Sequence, residues 1–209
     1  MDKKQSKAIR YDQMVLNPSD DKLGLFTAYD EILTETRRII YEKNPKRVME
    51  VGCGTGNLCG PLSEKIDVLG IDNSLEMIMR AKEKYNYMHF KYTDFLNEYE
   101  SIKEFDLIVS SFFIHCLNGD DRKKALRKMV RMLGENGKIV IVDYMYENHD
   151  EMENLHSKFS CQEDLVEFLN KKDFPIVNNL KECFLDEYYI FKARHFVNFT
   201  WIIEIEKRK

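Results

Sequence analysis

Three glycines, Gly52, Gly54 and Gly56, close an apolar run in "VMEVGCGTGNL", and one acid, Asp72, closes the next in "VLGIDNS". Glycines so placed let a backbone lie against a ligand, and a carboxylate about twenty residues on can accept from two vicinal ribose hydroxyls. The spacing is G-x-G-x-G. A dinucleotide site wants its third glycine one position later, where Asn57 stands. No Gly-Lys-Ser/Thr follows, so a phosphate-binding P-loop is absent too. Loop and acid together therefore suit a nucleoside-like cofactor without a pyrophosphate, for which close backbone approach and a few amide donors suffice. Capping the following helix is the other role open to Asp72, although Ser74 can do that instead. Glu50, just before the loop, is an acid ending a buried run and needs a cationic or amide partner.

Placing these residues side by side requires neighbouring strands. Short runs rich in Val, Ile and aromatics, Arg47 to Val51, Asp67 to Ile71, Tyr87 to Tyr92, Phe105 to Ser110 and Lys138 to Asp143, read as strands. Between them, helices are expected over Leu58 to Lys65, Leu75 to Tyr85 and Asp120 to Leu133. A further helix, Lys22 to Lys43, precedes the first strand and stops at Asn44-Pro45. Strands alternating with helices imply right-handed crossovers and a parallel sheet covered on both faces. After Asp143 the alternation breaks, and Ser160 with Glu163 forms a capping-box signature for a helix through Leu169. Two last strand-like runs, Cys183 to Lys192 and Phe196 to Glu206, are joined so tightly that they must pair antiparallel. The basic run Arg122 to Arg131 interleaves with apolar residues and reads as the solvated face of an amphipathic helix.

In the order "VMEVGCGTGNL", "VLGIDNS", "YTDF", "FDLIVSSFFIHCL" and "LGENGKIVIVDY", the chain resembles the class I S-adenosylmethionine-dependent methyltransferases. The resemblance spans about Arg47 to Tyr144 and, more loosely, the terminal hairpin. It implies an α/β fold, Rossmann-like and doubly wound, with a mostly parallel seven-stranded sheet and a C-terminal antiparallel hairpin whose final strand inserts beside the fifth. It further implies S-adenosylmethionine as cofactor, with Glu50 and the loop Gly52, Cys53, Gly54 and Gly56 at its methionine and ribose. Asp72 would hold the ribose hydroxyls, Asn73 and Met77 would lie near the adenine, and Asp94 and Phe95 would contact it. Ser110 and Ser111 would stand where the cofactor's amino-acid end meets the substrate. For Asp94, a turn acid after the third strand is the alternative.

His115 is the one histidine in that region, and its ordinary pKa suits a general base, although orienting the loop is an equal role for it. Tyr11 resembles an N-terminal tyrosine that folds over the cofactor; a surface helix position is its alternative. The fourth-strand motif Ser110-Ser111-Phe112-Phe113 lacks the Asn/Asp-Pro-Pro-Tyr/Phe pattern used on planar amines, which argues against that subclass. The expected function is methyl transfer to a nucleophilic O, N or C atom of a small molecule. Methylation of protein or RNA, a non-catalytic S-adenosylmethionine binder and a nicotinamide-dependent oxidoreductase are the alternatives.

Composition sets the frame for these expectations. With 209 residues, 44% hydrophobic and 33% charged, the chain suits a single domain over 1–209, with 1–23 and 144–175 as lid or substrate segments. Those segments could equally cover a sheet edge or form a homodimer face. A formal charge of −4 disfavours nucleic acid as a partner. No apolar run reaches the length of a bilayer crossing, and the charged start lacks a secretory core, so a cytoplasmic protein without a membrane partner is expected. The five cysteines show no metal or disulfide spacing.

Overall fold

The apolar runs form the strands β1 (Arg47–Val51), β2 (Asp67–Asp72), β3 (His89–Tyr92), β4 (Phe105–Ser111) and β5 (Leu133–Tyr144). Strands β6 (Tyr189–Val197) and β7 (Thr200–Lys207) follow near the C-terminus. The structure is a computed structural model that describes residues 6–18, 21–99, 104–185 and 187–208. Across the sheet the order is β3-β2-β1-β4-β5-β7-β6. The first five strands pair in parallel, and β7 runs antiparallel to both β5 and β6. This is the doubly wound sheet with a terminal hairpin that the sequence implies, and β7 does lie beside the fifth strand.

Both faces are buried, and successive side chains alternate between them as strand geometry demands. Val48, Leu107, Val109, Val140 and Ile202 pack against α1 (Lys7–Leu16), α2 (Tyr29–Glu42) and α3 (Leu75–Lys84). Met49, Ile108, Ile139, Ile141 and Ile203 pack against α4 (Gly119–Arg131) and α7 (Val177–Lys181). Each fully buried Ile or Leu contributes roughly 1.5–3 kcal/mol, so the two faces dominate the stability. A third cluster joins Tyr144, Tyr146, Phe174 and Phe199 to α5 (His149–Lys158) and α6 (Glu163–Lys172). Among the described residues no helix is long and apolar enough to cross a membrane.

Local chemistry moves several boundaries. The helix expected from Lys22 begins only at Tyr29, because Asp21 accepts from the Leu25 and Phe26 N–H groups at 2.7 and 2.6 Å and holds this stretch in turns. The helix expected at Leu58 to Lys65 is one 3-10 turn, Gly60–Leu62, with Pro61 removing an amide donor from it. The Ser160–Glu163 box does not form: α6 starts after Gln162, with no side-chain cap. The polar stretch after Asp143 contains a helix that periodicity misses, α5, which buries no residue fully and starts at the side-chain cap of Asn148. Strand β5 begins at Leu133 rather than Lys138, and β6 at Tyr189 rather than Cys183.

Candidate functional site

Register aligns the strand ends. Val51 is paired with Ile71 on one side and Ser110 on the other, so Gly52, Asp72 and Ser111 emerge together at the carboxyl edge of the sheet. The glycine loop folds back over that edge. The Gly52 and Cys53 N–H groups donate to the Ile71 carbonyl at 2.9 and 3.0 Å. Gly52 has φ 70°, and a Cβ there would lie 2.5 Å from the Phe113 ring. Gly54 has φ 52° with nothing within 4 Å of its Cβ direction, so its backbone faces open space.

That space is a cleft of about 320 Å³ lined, among others, by Tyr11, Gly52, Cys53, Gly54, Asp72, Asn73, Met77 and Ser111, all named from the sequence. Asp72 is half-buried at its rim. Its Oδ2 accepts from the Gly54 N–H at 2.9 Å and its Oδ1 from the Ser74 N–H at 2.8 Å, while the Ser74 hydroxyl caps α3 by accepting from Met77. Burial pushes the Asp72 carboxyl above its ordinary range, against the pull of the backbone donors at Gly54, Ser74 and Asn73. Each carboxylate oxygen keeps a lone pair for a further donor.

Tyr11 is fixed over the cleft by a chain of hydroxyls. Its Oη lies 3.3 Å from that of Tyr29, which accepts from Asn57 Nδ2 at 3.3 Å. Burial, with the Tyr29 phenol beside it, pushes the Tyr11 phenol up, so it stays neutral. The neighbouring Asp12 accepts from Thr55 Oγ1 at 2.6 Å, Arg80 Nε at 3.0 Å and Lys84 Nζ at 3.2 Å, and Lys84 also reaches Asn57 Oδ1. Burial opposes ionisation of Asp12, but Thr55, Arg80 and Lys84 together hold its carboxyl below its ordinary value. Helix α1 is thus pinned to the glycine loop and to α3 at once.

The far wall is aromatic. Phe112, just beyond β4, has φ 50°, a left-handed conformation that costs a bulky residue energy. Its ring packs 5.7 Å from Tyr29 and 4.8 Å from Tyr144. A second, more open cavity of about 800 Å³ lies between α1, the turn at 21–26 and α6, lined by Met14, Leu25, Phe26, Leu165 and Phe168 among others. It is larger, yet it shares no lining residue with the cleft and touches neither the glycine loop nor Asp72. The residues expected at the cofactor therefore line the smaller space.

Other expected residues take different places. Glu50 is fully buried beneath the loop, where it accepts from the Cys59 N–H and the Ser111 hydroxyl, each at 3.2 Å; its partners are neutral donors, and burial pushes its carboxyl up to about 7. Ser110 is also fully buried, its hydroxyl without a hydrogen-bond partner among the described residues. Gly56 has φ 78° and packs near Tyr85, outside the cleft. Asp94 turns onto its own segment, accepting from the Leu96 and Asn97 N–H groups and from the Asn97 amide, and Phe95 is a core side chain against Tyr99.

His115 does not open onto the cleft as a free base. Its Nδ1 lies 2.5 Å from Oδ1 of Asp143, and its Nε2 lies 3.4 Å from Cys116 Sγ. Burial alone would lower its pKa, but the Asp143 carboxylate overrides that and raises it to about 10. The Asp143 carboxylate on one ring nitrogen thus favours the charged form of the ring. Sequence reasoning missed Asp143, Tyr29, Asn57, Phe112 and Cys116. Asp143 ends an apolar run as Asp72 does, and that same signal marks it.

A family model described as "Methyltransferase domain" matches residues 48–137. An uncharacterized methyltransferase of Bacillus pumilus (strain SAFR-032) is 31% identical over 202 residues, covering 95% of this chain and 93% of the relative. The uncharacterized methyltransferase YrrT of Bacillus subtilis (strain 168) is 31% identical, covering 96% and 94%. Among solved structures, plantazolicin methyltransferase BpumL, in complex with a monoazolic desmethylPZN analog and SAH, has a TM-score of 0.65 at 18% identity, covering 97% of this chain and 92% of that one. Magnesium protoporphyrin IX methyltransferase (ChlM) from Synechocystis PCC 6803, with bound SAH, has a TM-score of 0.70 at 12% identity, covering 96% and 95%.

Proposed function

This chain belongs to the methyltransferase family, and from that premise we propose that it transfers the methyl group of S-adenosylmethionine to a nucleophilic O, N or C atom of a small molecule in the cleft. The observation that carries the reading is the junction of Gly54 and Asp72, where an open glycine backbone meets a half-buried carboxylate with free lone pairs. The residues present fit the cofactor. A cleft of about 320 Å³ suits a nucleoside-sized ligand, and Asp72 suits its two ribose hydroxyls. When bound, the cofactor supplies a methyl group already activated by a sulfonium, whose leaving group is a neutral thioether.

The chain's own task is then alignment and exclusion of water. Tyr11, Tyr29, Phe112 and Phe113 line the cleft, with the Phe112 ring stacked on that of Tyr29. Ser111, tied to Glu50, sets the end of β4 where an acceptor would approach. His115, charged and held by Asp143, acts by positioning the turn after β4 rather than by taking the acceptor's proton. Of the segments 1–23 and 144–175, residues 6–18, 21–23 and 144–175 act as covers, while 1–5 and 19–20 lie outside the described residues. A small acceptor is supported by the negative net charge and by the plantazolicin and magnesium protoporphyrin activities of proteins sharing the fold.

Titration calorimetry with S-adenosylmethionine, S-adenosylhomocysteine and NADH tests the cofactor, and transfer of labelled methyl across small metabolites, total RNA and whole protein extract tests the acceptor. Binding of the first two ligands and labelling of a small molecule are expected. Binding of NADH alone, or label confined to RNA or protein, would overturn the reading.

A further inference from the structure

The turn Ile114–Cys116 after β4 carries a group that methyl transfer leaves idle. Cys116 is exposed and lines the cleft, with its sulfur 3.4 Å from Nε2 of His115. The other ring nitrogen meets Asp143, which has no solvent exposure and also accepts from the His115 and Tyr144 backbone N–H groups. Tyr144 and Phe174, with centroids 5.1 and 5.9 Å from that of the imidazole, hold the ring in place. Carboxylate, imidazole and thiol thus form a line from the sheet interior to the cleft. A thiolate is the nucleophilic form of cysteine, and an imidazolium N–H directed at the sulfur stabilises it.

We propose that Cys116 is a covalent modification site for small soft electrophiles, its sulfur set at the cleft beside the His115–Asp143 pair. The thiol proton passes to solvent. The sulfur lone pair then forms the new S–C bond as the bond to the leaving group breaks, and the leaving group departs with its electrons. The other cysteines lack this arrangement. Cys53 and Cys59 are buried, and burial pushes their thiols well up. Cys161 is exposed like Cys116 but lies in the turn between α5 and α6, so it serves as an internal standard. Modification at Cys116 would fill space beside Ser111 and Leu117 and so compete with cofactor, a consequence that rests on the function proposed for the cleft.

The test is timed labelling of the full chain with limiting iodoacetamide at pH 7, followed by peptide mass mapping. Cys116 should react at least about tenfold faster than Cys161, and His115→Gln should bring the two rates within about twofold. Asp143→Asn serves as a second variant, expected to slow Cys116 selectively, with circular dichroism confirming that each variant is folded. Equal rates in the native chain, or an unchanged Cys116 rate in folded His115→Gln, would overturn the proposal. S-adenosylhomocysteine should slow Cys116 and not Cys161. A fast Cys116 that S-adenosylhomocysteine leaves unaffected would keep the relay and overturn only the assignment of the cleft.

Discussion

Glu50 allows a prediction with a magnitude attached. Its carboxyl has no solvent exposure and meets two neutral donors, the Cys59 N–H and the Ser111 hydroxyl. Burial raises its pKa from 4.5 to about 7 in the folded chain. The folded state therefore binds this proton more tightly than the unfolded state does. The associated stability is fully present below about pH 4.5 and is lost as pH rises to about 7, after which it changes no further. The gap corresponds to about 3 kcal/mol. Glu50→Gln is isosteric and neutral at every pH, so it removes this dependence while keeping a hydrogen-bonding side chain. Urea denaturation of both proteins at several pH values from 5 to 8 reads the difference. Near pH 5 the two should agree within about 1 kcal/mol, and the variant should gain up to about 3 kcal/mol relative to the wild type by pH 8. Curves that stay parallel across this range would refute the reasoning.

Three further outcomes follow from the site. Asp72→Ala removes a carboxylate that is offered to two ribose hydroxyls and should weaken S-adenosylhomocysteine binding about tenfold to a hundredfold in calorimetry; unchanged affinity would remove the ribose role. Asp12→Ala frees Thr55, Arg80 and Lys84 at once and should cost about 1–3 kcal/mol in denaturant unfolding at pH 7. Because the folded Asp12 carboxyl is held below its ordinary value, that cost should fade as pH falls below about 4, and a cost that persists there would place its origin in packing. His115→Gln should lower methyl transfer by less than about tenfold and leave the pH–rate profile between pH 6 and 8 unchanged. A hundredfold fall with loss of a titrating limb would restore His115 as the base.

The parts of this molecule legible in sequence are those set by local pattern. Val-rich runs mark β1, β4 and β5, Ser74 marks the start of α3, and the loop with Asp72 marks the cleft, because strand ends in register must bring them together. The less legible parts depend on partners distant in the chain. Tyr11 and Asp12 are fixed at the cleft through Tyr29, Thr55, Arg80 and Lys84, which no spacing rule links to them. Asp94 shows how a motif leaves local bonding unread: the Leu96 and Asn97 N–H groups donate to its carboxylate within its own turn. His115 gives no hint in sequence of Asp143, twenty-eight residues away, whose carboxylate lies 2.5 Å from its ring.

The position of β7 also bears on how this chain leaves the ribosome. β5 ends at Tyr144, yet the strand that covers its edge begins only at Thr200, and the outermost strand, β6, is made before the inner one that will attach it. During synthesis the edge carrying Ile139, Ile141 and Val142 therefore waits, unpaired and apolar, while α5, α6, α7 and β6 emerge. An open edge of this kind invites pairing with another chain. A chain halted between residues 144 and 200 would therefore carry the first five strands with that edge uncovered.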